Sequence, residues 1–133
     1  MQISPYLNFN GNCAEAFDFY AKTFGGTITF KQTHGDSPMK DQVGPDWQDK
    51  IMHVTLAVGD NVVMGSDAPP TYYGAPRGMY VSLRIADAAE GERVFNALAE
   101  DGQINMPFQK TFWSAGFGMV VDRFAIPWMV NCD

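Results

Sequence analysis

Apolar side chains recur first with the period of a strand and then with that of a helix, and the chain does this twice. Residues 6–10, Tyr-Leu-Asn-Phe-Asn, read as a short strand that Gly11-Asn12 breaks. Asn12, with Glu15 three residues on, forms a capping-box-like pair at a helix start. Ala16, Phe19, Tyr20, Thr23 and Phe24 follow at helical spacing as one packing face, and Gly25-Gly26 supplies a left-handed stop. Residues 27–30 resume as strand, rich in β-branched and aromatic side chains.

The second half repeats this order. Residues 80–85 alternate as a half-buried strand, Asp87 and Glu90 repeat the capping pair, and Val94, Phe95, Leu98 and Ala99 form the apolar helix face. Gly102 stops the helix, and residues 103–106 begin another strand. Leu7 and Leu83, Phe9 and Ile85, Phe19 and Phe95, Gly26 and Gly102, and Ile28 and Ile104 are each 76 residues apart. A shared strand phase, cap, helix face and stop point to one unit used twice.

Each copy closes with two strands about a tight turn, residues 51–58 with 61–64 and residues 117–121 with 127–131. A polar loop rich in Gly, Asp and Pro fills residues 31–50. The expected fold is a single α+β domain of two βαβββ modules, module one 1–67 and module two 79–133, joined by a linker 68–78. Each module is expected to have four antiparallel strands and one helix. Two modules side by side form a cupped, incomplete barrel whose inner surface faces neither helix.

Charge narrows the partners. Fifteen Asp and Glu against nine Lys and Arg give a formal net charge of −6, and no basic cluster exists, which excludes nucleic acid and an anionic membrane surface. The chain starts directly with strand-like residues, without a charged-then-apolar leader, and its apolar runs are too short to span a bilayer. Cys13 and Cys132 make no disulfide framework, so the expected location is a reducing cytoplasm. Cys13 reads as a packing residue at the helix start.

Residues 5–20 (PYLNFNGNCAEAFDFY), followed by Phe24-Gly25-Gly26, resemble the opening of PhnB-like proteins. Residues 50–53 (KIMH), 64–67 (MGSD) and 111–113 (TFW), Phe117-Gly118, Asp122-Arg123-Phe124 and Trp128 resemble the rest of that pattern, so the likeness covers nearly the whole chain. PhnB-like proteins belong to the vicinal oxygen chelate superfamily, with glyoxalase I, bleomycin-resistance proteins and extradiol dioxygenases. The resemblance implies the same paired βαβββ fold. It departs at Ala125, where a glycine is usual, which puts the turn geometry there in question. A methyltransferase label is common for this pattern, but the chain shows no glycine-rich strand-to-helix loop for a nucleoside cofactor.

Enzymes of the superfamily hold a divalent ion through His and Glu on the first and last strands of each module. The positions matched here offer Tyr6, Asn8, Met64 and Ser66, then Tyr80, Ser82 and Arg84 with Trp128 and Val130 or Met129 and Asn131. None is His, Glu or Asp. Of the two histidines, His34 is expected in the solvated loop, and His53 reads as a hydrogen-bonded strand residue rather than a ligand. Glu15 and Glu90 are accounted for by capping, and Asp60 and Asp67 by turns. No cofactor is assigned, and a divalent metal enters only with unorthodox ligands.

The expected ligand-binding set is Tyr6, Asn8, His53, Met64, Tyr80, Ser82, Arg84, Trp113, Phe117 and Trp128, an aromatic and apolar group with a few polar members, as ligand sites require. Arg84 either clamps a carboxylate or phosphate or pairs with an acid at a strand edge. Three functions stay open: a module that binds a small, partly aromatic or anionic molecule, a metal-dependent lyase, isomerase or dioxygenase, and a structural or regulatory homodimer.

Overall fold

The computed structural model describes residues 1–133, which form two compact units, Met1–Ala75 and Pro76–Asp133. The first runs β1 (Tyr6–Phe9), α1 (Cys13–Phe24), β2 (Thr27–Thr33), β3 (Ile51–Val58) and β4 (Asn61–Asp67). The second runs β5 (Val81–Ile85), α2 (Ala88–Ala99), β6 (Gln103–Gln109), β7 (Gly116–Val121) and β8 (Pro127–Cys132). Neither helix is long and apolar enough to cross a membrane.

The strand orders are β1-β4-β3-β2 and β5-β8-β7-β6. The sheets are therefore separate, four-stranded and mixed, not wholly antiparallel as expected, because β1 lies parallel to β4 and β5 parallel to β8. The helix is the reason. It carries the chain back between β1 and β2, so those strands point the same way, and two antiparallel reversals later β4 has that direction again. The strands form no closed barrel.

One face of each sheet carries the helix. Leu7 and Phe9 of β1 and Val54 and Leu56 of β3 are buried with Cys13, Ala16, Phe17, Tyr20 and Thr23 of α1. Phe17, not Phe19, belongs to that face. Its ring lies where a Cβ on Gly65 would stand only 2.6 Å away, so β4 needs a glycine for the helix to sit down on it. In the second unit Gly91, Val94, Phe95 and Leu98 of α2 pack on Val120, Trp128, Val130 and Cys132.

The helix starts differ from one another. Asp87 caps α2 as expected, accepting from the Glu90 amide at 2.9 Å. Asn12 makes no such bond. Asp67 replaces it: one carboxylate oxygen accepts from the Gly11 and Cys13 amides at 2.9 and 3.0 Å, and the other from the Ile51 amide at 2.9 Å. Asp67 is thus a buried brace rather than a turn residue, and it ties the α1 start and the β3 start to the end of β4. His34, expected in solvent, is buried beside it and donates from Nε2 to the Asp67 carbonyl at 3.2 Å. At the other helix end Gly25 takes the left-handed turn (φ 70°), but after α2 that conformation falls on Asp101 (φ 57°). Gly102 is needed instead for close packing, since a Cβ there would meet the Val121 carbonyl at 2.4 Å. Ala125 accepts the left-handed turn (φ 74°) that the pattern gives to glycine.

Asp67→Ala leaves three amides without their acceptor and is expected to destabilise by roughly 3 to 5 kcal/mol in urea unfolding. Asp87→Ala is expected to cost about 1 kcal/mol, and Asn12→Ala to stay within about 0.5 kcal/mol of the parent.

Candidate functional site

In the first sheet the alternation that buries Leu7, Phe9, Val54 and Leu56 turns their neighbours to the opposite, uncovered face. Strand pairing places Tyr6 beside Met64, Met64 beside Thr55, and Thr55 beside Phe30, while Gln32 pairs with His53 and Asn8 with Ser66. Tyr6, Asn8, His53 and Met64, four of the expected residues, therefore share one face of one sheet. Tyr6 and Phe30 remain about half exposed, at 46% and 50%.

A hydrogen-bond chain crosses this face. The Tyr6 hydroxyl lies 3.0 Å from His53 Nδ1, and His53 Nε2 lies 3.0 Å from Thr55 Oγ1. The Tyr6 and Phe30 ring centroids stand 5.5 and 5.8 Å from that of His53. Asn8 and Ser66 meet at 3.4 Å. Chemically, the face offers an imidazole with both nitrogens engaged, two hydroxyls that can donate or accept, and apolar surface from Phe30 and Met64. Thr55 and Phe30 were not among the expected site residues. Thr55 was visible only as an alternation partner of His53, and Phe30 required the β2 register.

In the second sheet, Ser82 and Arg84 pair with Met129 and Asn131, and Asn131 pairs with Phe117, on the face away from α2. Arg84 donates from Nε to Asp133 Oδ1 at 3.0 Å, with its side chain 77% exposed. The edge ion pair is the alternative that the sheet holds. Tyr80 accepts from Asn105 Nδ2 at 2.8 Å. Trp113 stands edge-on over the Phe117 ring at 5.3 Å, and Asn131 Oδ1 is buried without a donor inside the chain. Trp128 does not join this face. Its odd–even phase puts it among the helix-covered core residues, fully buried, with Nε1 donating to Asp122 Oδ2 at 2.8 Å.

The donor chemistry does not fit a divalent ion. No three His, Cys, Asp or Glu side chains gather anywhere in the chain. Nor is Cys13 a nucleophile in waiting. Burial, reinforced by Asp67, pushes its thiol far above the usual range.

Residues 1–131 match the family described as 3-demethylubiquinone-9 3-methyltransferase. Protein YjdN of Escherichia coli (strain K12) is 37% identical over 98% of this chain and 95% of its own length. Protein PA1353 from Pseudomonas aeruginosa is 51% identical and superposes with a TM-score of 0.91 over 100% of this chain and 98% of its own. A putative 3-demethylubiquinone-9 3-methyltransferase, PhnB protein, from Bacillus cereus gives 0.84 at 24% identity, each chain fully covered. A glyoxalase/bleomycin resistance protein/dioxygenase family enzyme from Burkholderia phytofirmans PsJN shares the fold, with a TM-score of 0.64 at 10% identity over 97% and 95% of the two chains. A nucleoside cofactor of the kind methyl transfer uses does not fit the first strand-to-helix junction, because the Gly11 and Cys13 amides are already taken by Asp67.

Both cysteines are buried, Cys13 at 0% and Cys132 at 1% exposure. A disulfide-exchange thiol reagent at about pH 8 is expected to leave both unmodified in the folded chain and to label both in denaturant.

Proposed function

The chain belongs to the PhnB-like family described as 3-demethylubiquinone-9 3-methyltransferase, and we propose that it binds a small, partly aromatic or anionic molecule on the uncovered face of its first sheet, without a resident metal. One observation carries this: a Tyr6–His53–Thr55 hydrogen-bond chain lies on a face that no helix covers, with Phe30 and Met64 as apolar neighbours. Such a polar chain on an exposed sheet face contributes little to stability against water, so its ordered geometry is better explained by a ligand that uses it.

A homodimer in the cytoplasm completes the proposal. Phe112 and Tyr72, at 97% and 82% exposure, are large apolar groups that self-association would cover, and two free, separated cysteines suit a reducing compartment. Light scattering that finds only monomer would remove the dimer.

A thermal-shift screen of small aromatic carboxylates and sulfonates is expected to find compounds that raise the melting midpoint of the parent but not of His53→Ala. No stabilising compound, or one whose effect survives His53→Ala, would remove the binding proposal.

A further inference from the structure

The bonding around His53 constrains what a ligand meets. A neutral imidazole has one N–H donor and one bare acceptor nitrogen. With the proton on Nε2, the ring donates to Thr55 Oγ1 and receives the Tyr6 hydroxyl, so only the Thr55 hydrogen is left to point outward. With the proton on Nδ1 the order reverses, and only the Tyr6 hydrogen is left. Either way one end of the chain can donate outward and the other cannot.

Protonating the ring changes both ends together. Nδ1–H then donates to Tyr6 Oη and Nε2–H to Thr55 Oγ1, so both hydroxyl hydrogens are released outward and a positive charge appears between them. No other charge on the face competes. The groups facing His53 are Tyr6 from β1, Phe30 and Gln32 from β2, Thr55 along β3 and Met64 from β4, of which only Tyr6 titrates. Lys31 pairs with Val54, in the helix-side phase, and Asp36 beyond the end of β2 is held by the Thr33 hydroxyl at 3.0 Å.

We infer that this face is a proton-linked oxyanion site: it takes the carboxylate or other oxyanion of a small aromatic molecule, and His53 gains a proton as the anion binds. This inference rests on the binding proposed above and assigns its ligand class. An anion that finds two donors and a positive charge in one protonation state, and one donor and no charge in the other, must by linkage pull the ring toward the charged state. The aromatic body rests against Phe30 and Met64.

Titration calorimetry with benzoate, benzenesulfonate and neutral benzamide tests it, from about pH 5.5 to about pH 8 across the ordinary imidazole range, in buffers of differing ionisation enthalpy. Benzoate affinity is expected to fall about tenfold per pH unit once the ring is neutral, with close to one proton taken up per ligand there and none at the acid end. Benzamide is expected to show neither effect. His53→Gln removes the pH dependence and the proton uptake. Tyr6→Phe weakens binding but keeps both, because one hydroxyl and the charge remain. Tighter binding of benzoate marks a planar carboxylate site and tighter binding of benzenesulfonate a tetrahedral one, either in support. Binding that is independent of pH with no proton uptake, or benzamide equal to benzoate, overturns the proton linkage while leaving ligand binding in place. No binding by any of the three overturns both.

Discussion

A single buried carboxylate holds the first unit in register. Asp67 reaches the amide ahead of α1, the first amide of the helix and the first amide of β3. An ionised acceptor of three backbone donors is among the stronger interactions available to a fold of this size, and an unpaired one among the most costly. Because Phe9 pairs with Asp67 while Ile51 donates to it, the phases of β1, β3 and β4 are fixed against one another at that point. Strand alternation carries the phase onward, so Tyr6, His53, Thr55 and Met64 come to one face. A slip of one residue in any of these strands would send its site residues under the helix.

The two units solve the same junction with different means. The place that Asp67 holds opposite Phe9 is held in the second unit by Cys132 opposite Ile85. There the helix is capped locally by Asp87, and Ser114 ties the strand ends, its hydroxyl 2.7 Å from the Gly116 carbonyl and 2.5 Å from that of Cys132. The two units therefore share one topology and differ in their bracing chemistry. The faces away from the helices differ as well: an aromatic and imidazole chain in one, an arginine, a buried asparagine carbonyl without a donor and a Trp113–Phe117 pair in the other.

This contrast explains what was legible in the sequence. Local signals read correctly: the Asp87 cap, the glycine after α1 and the strand alternation all depend on residues a few positions apart. Interactions between distant residues did not. Asn12 looked like a cap because nothing local shows that a carboxylate 55 positions later does its work. His34 looked solvated because its partner is a carbonyl on another strand. Trp128 was placed with the ligand residues, although its parity matches Val130 and Cys132 under the helix. Parallel pairing of the first and last strands likewise follows from counting chain reversals, not from composition.

The first sheet presents a polar chain of tyrosine, histidine and threonine on the face away from its helix, and no three His, Cys, Asp or Glu side chains gather in the chain. The occupant proposed for this chain is a ligand oxygen. The most direct measurement is a crystal structure of the full chain soaked with benzoate. Its carboxylate should lie within hydrogen-bond distance of Tyr6 Oη or Thr55 Oγ1, with the ring against Phe30. Benzoate seated elsewhere, with the His53 chain untouched, would contradict the assignment.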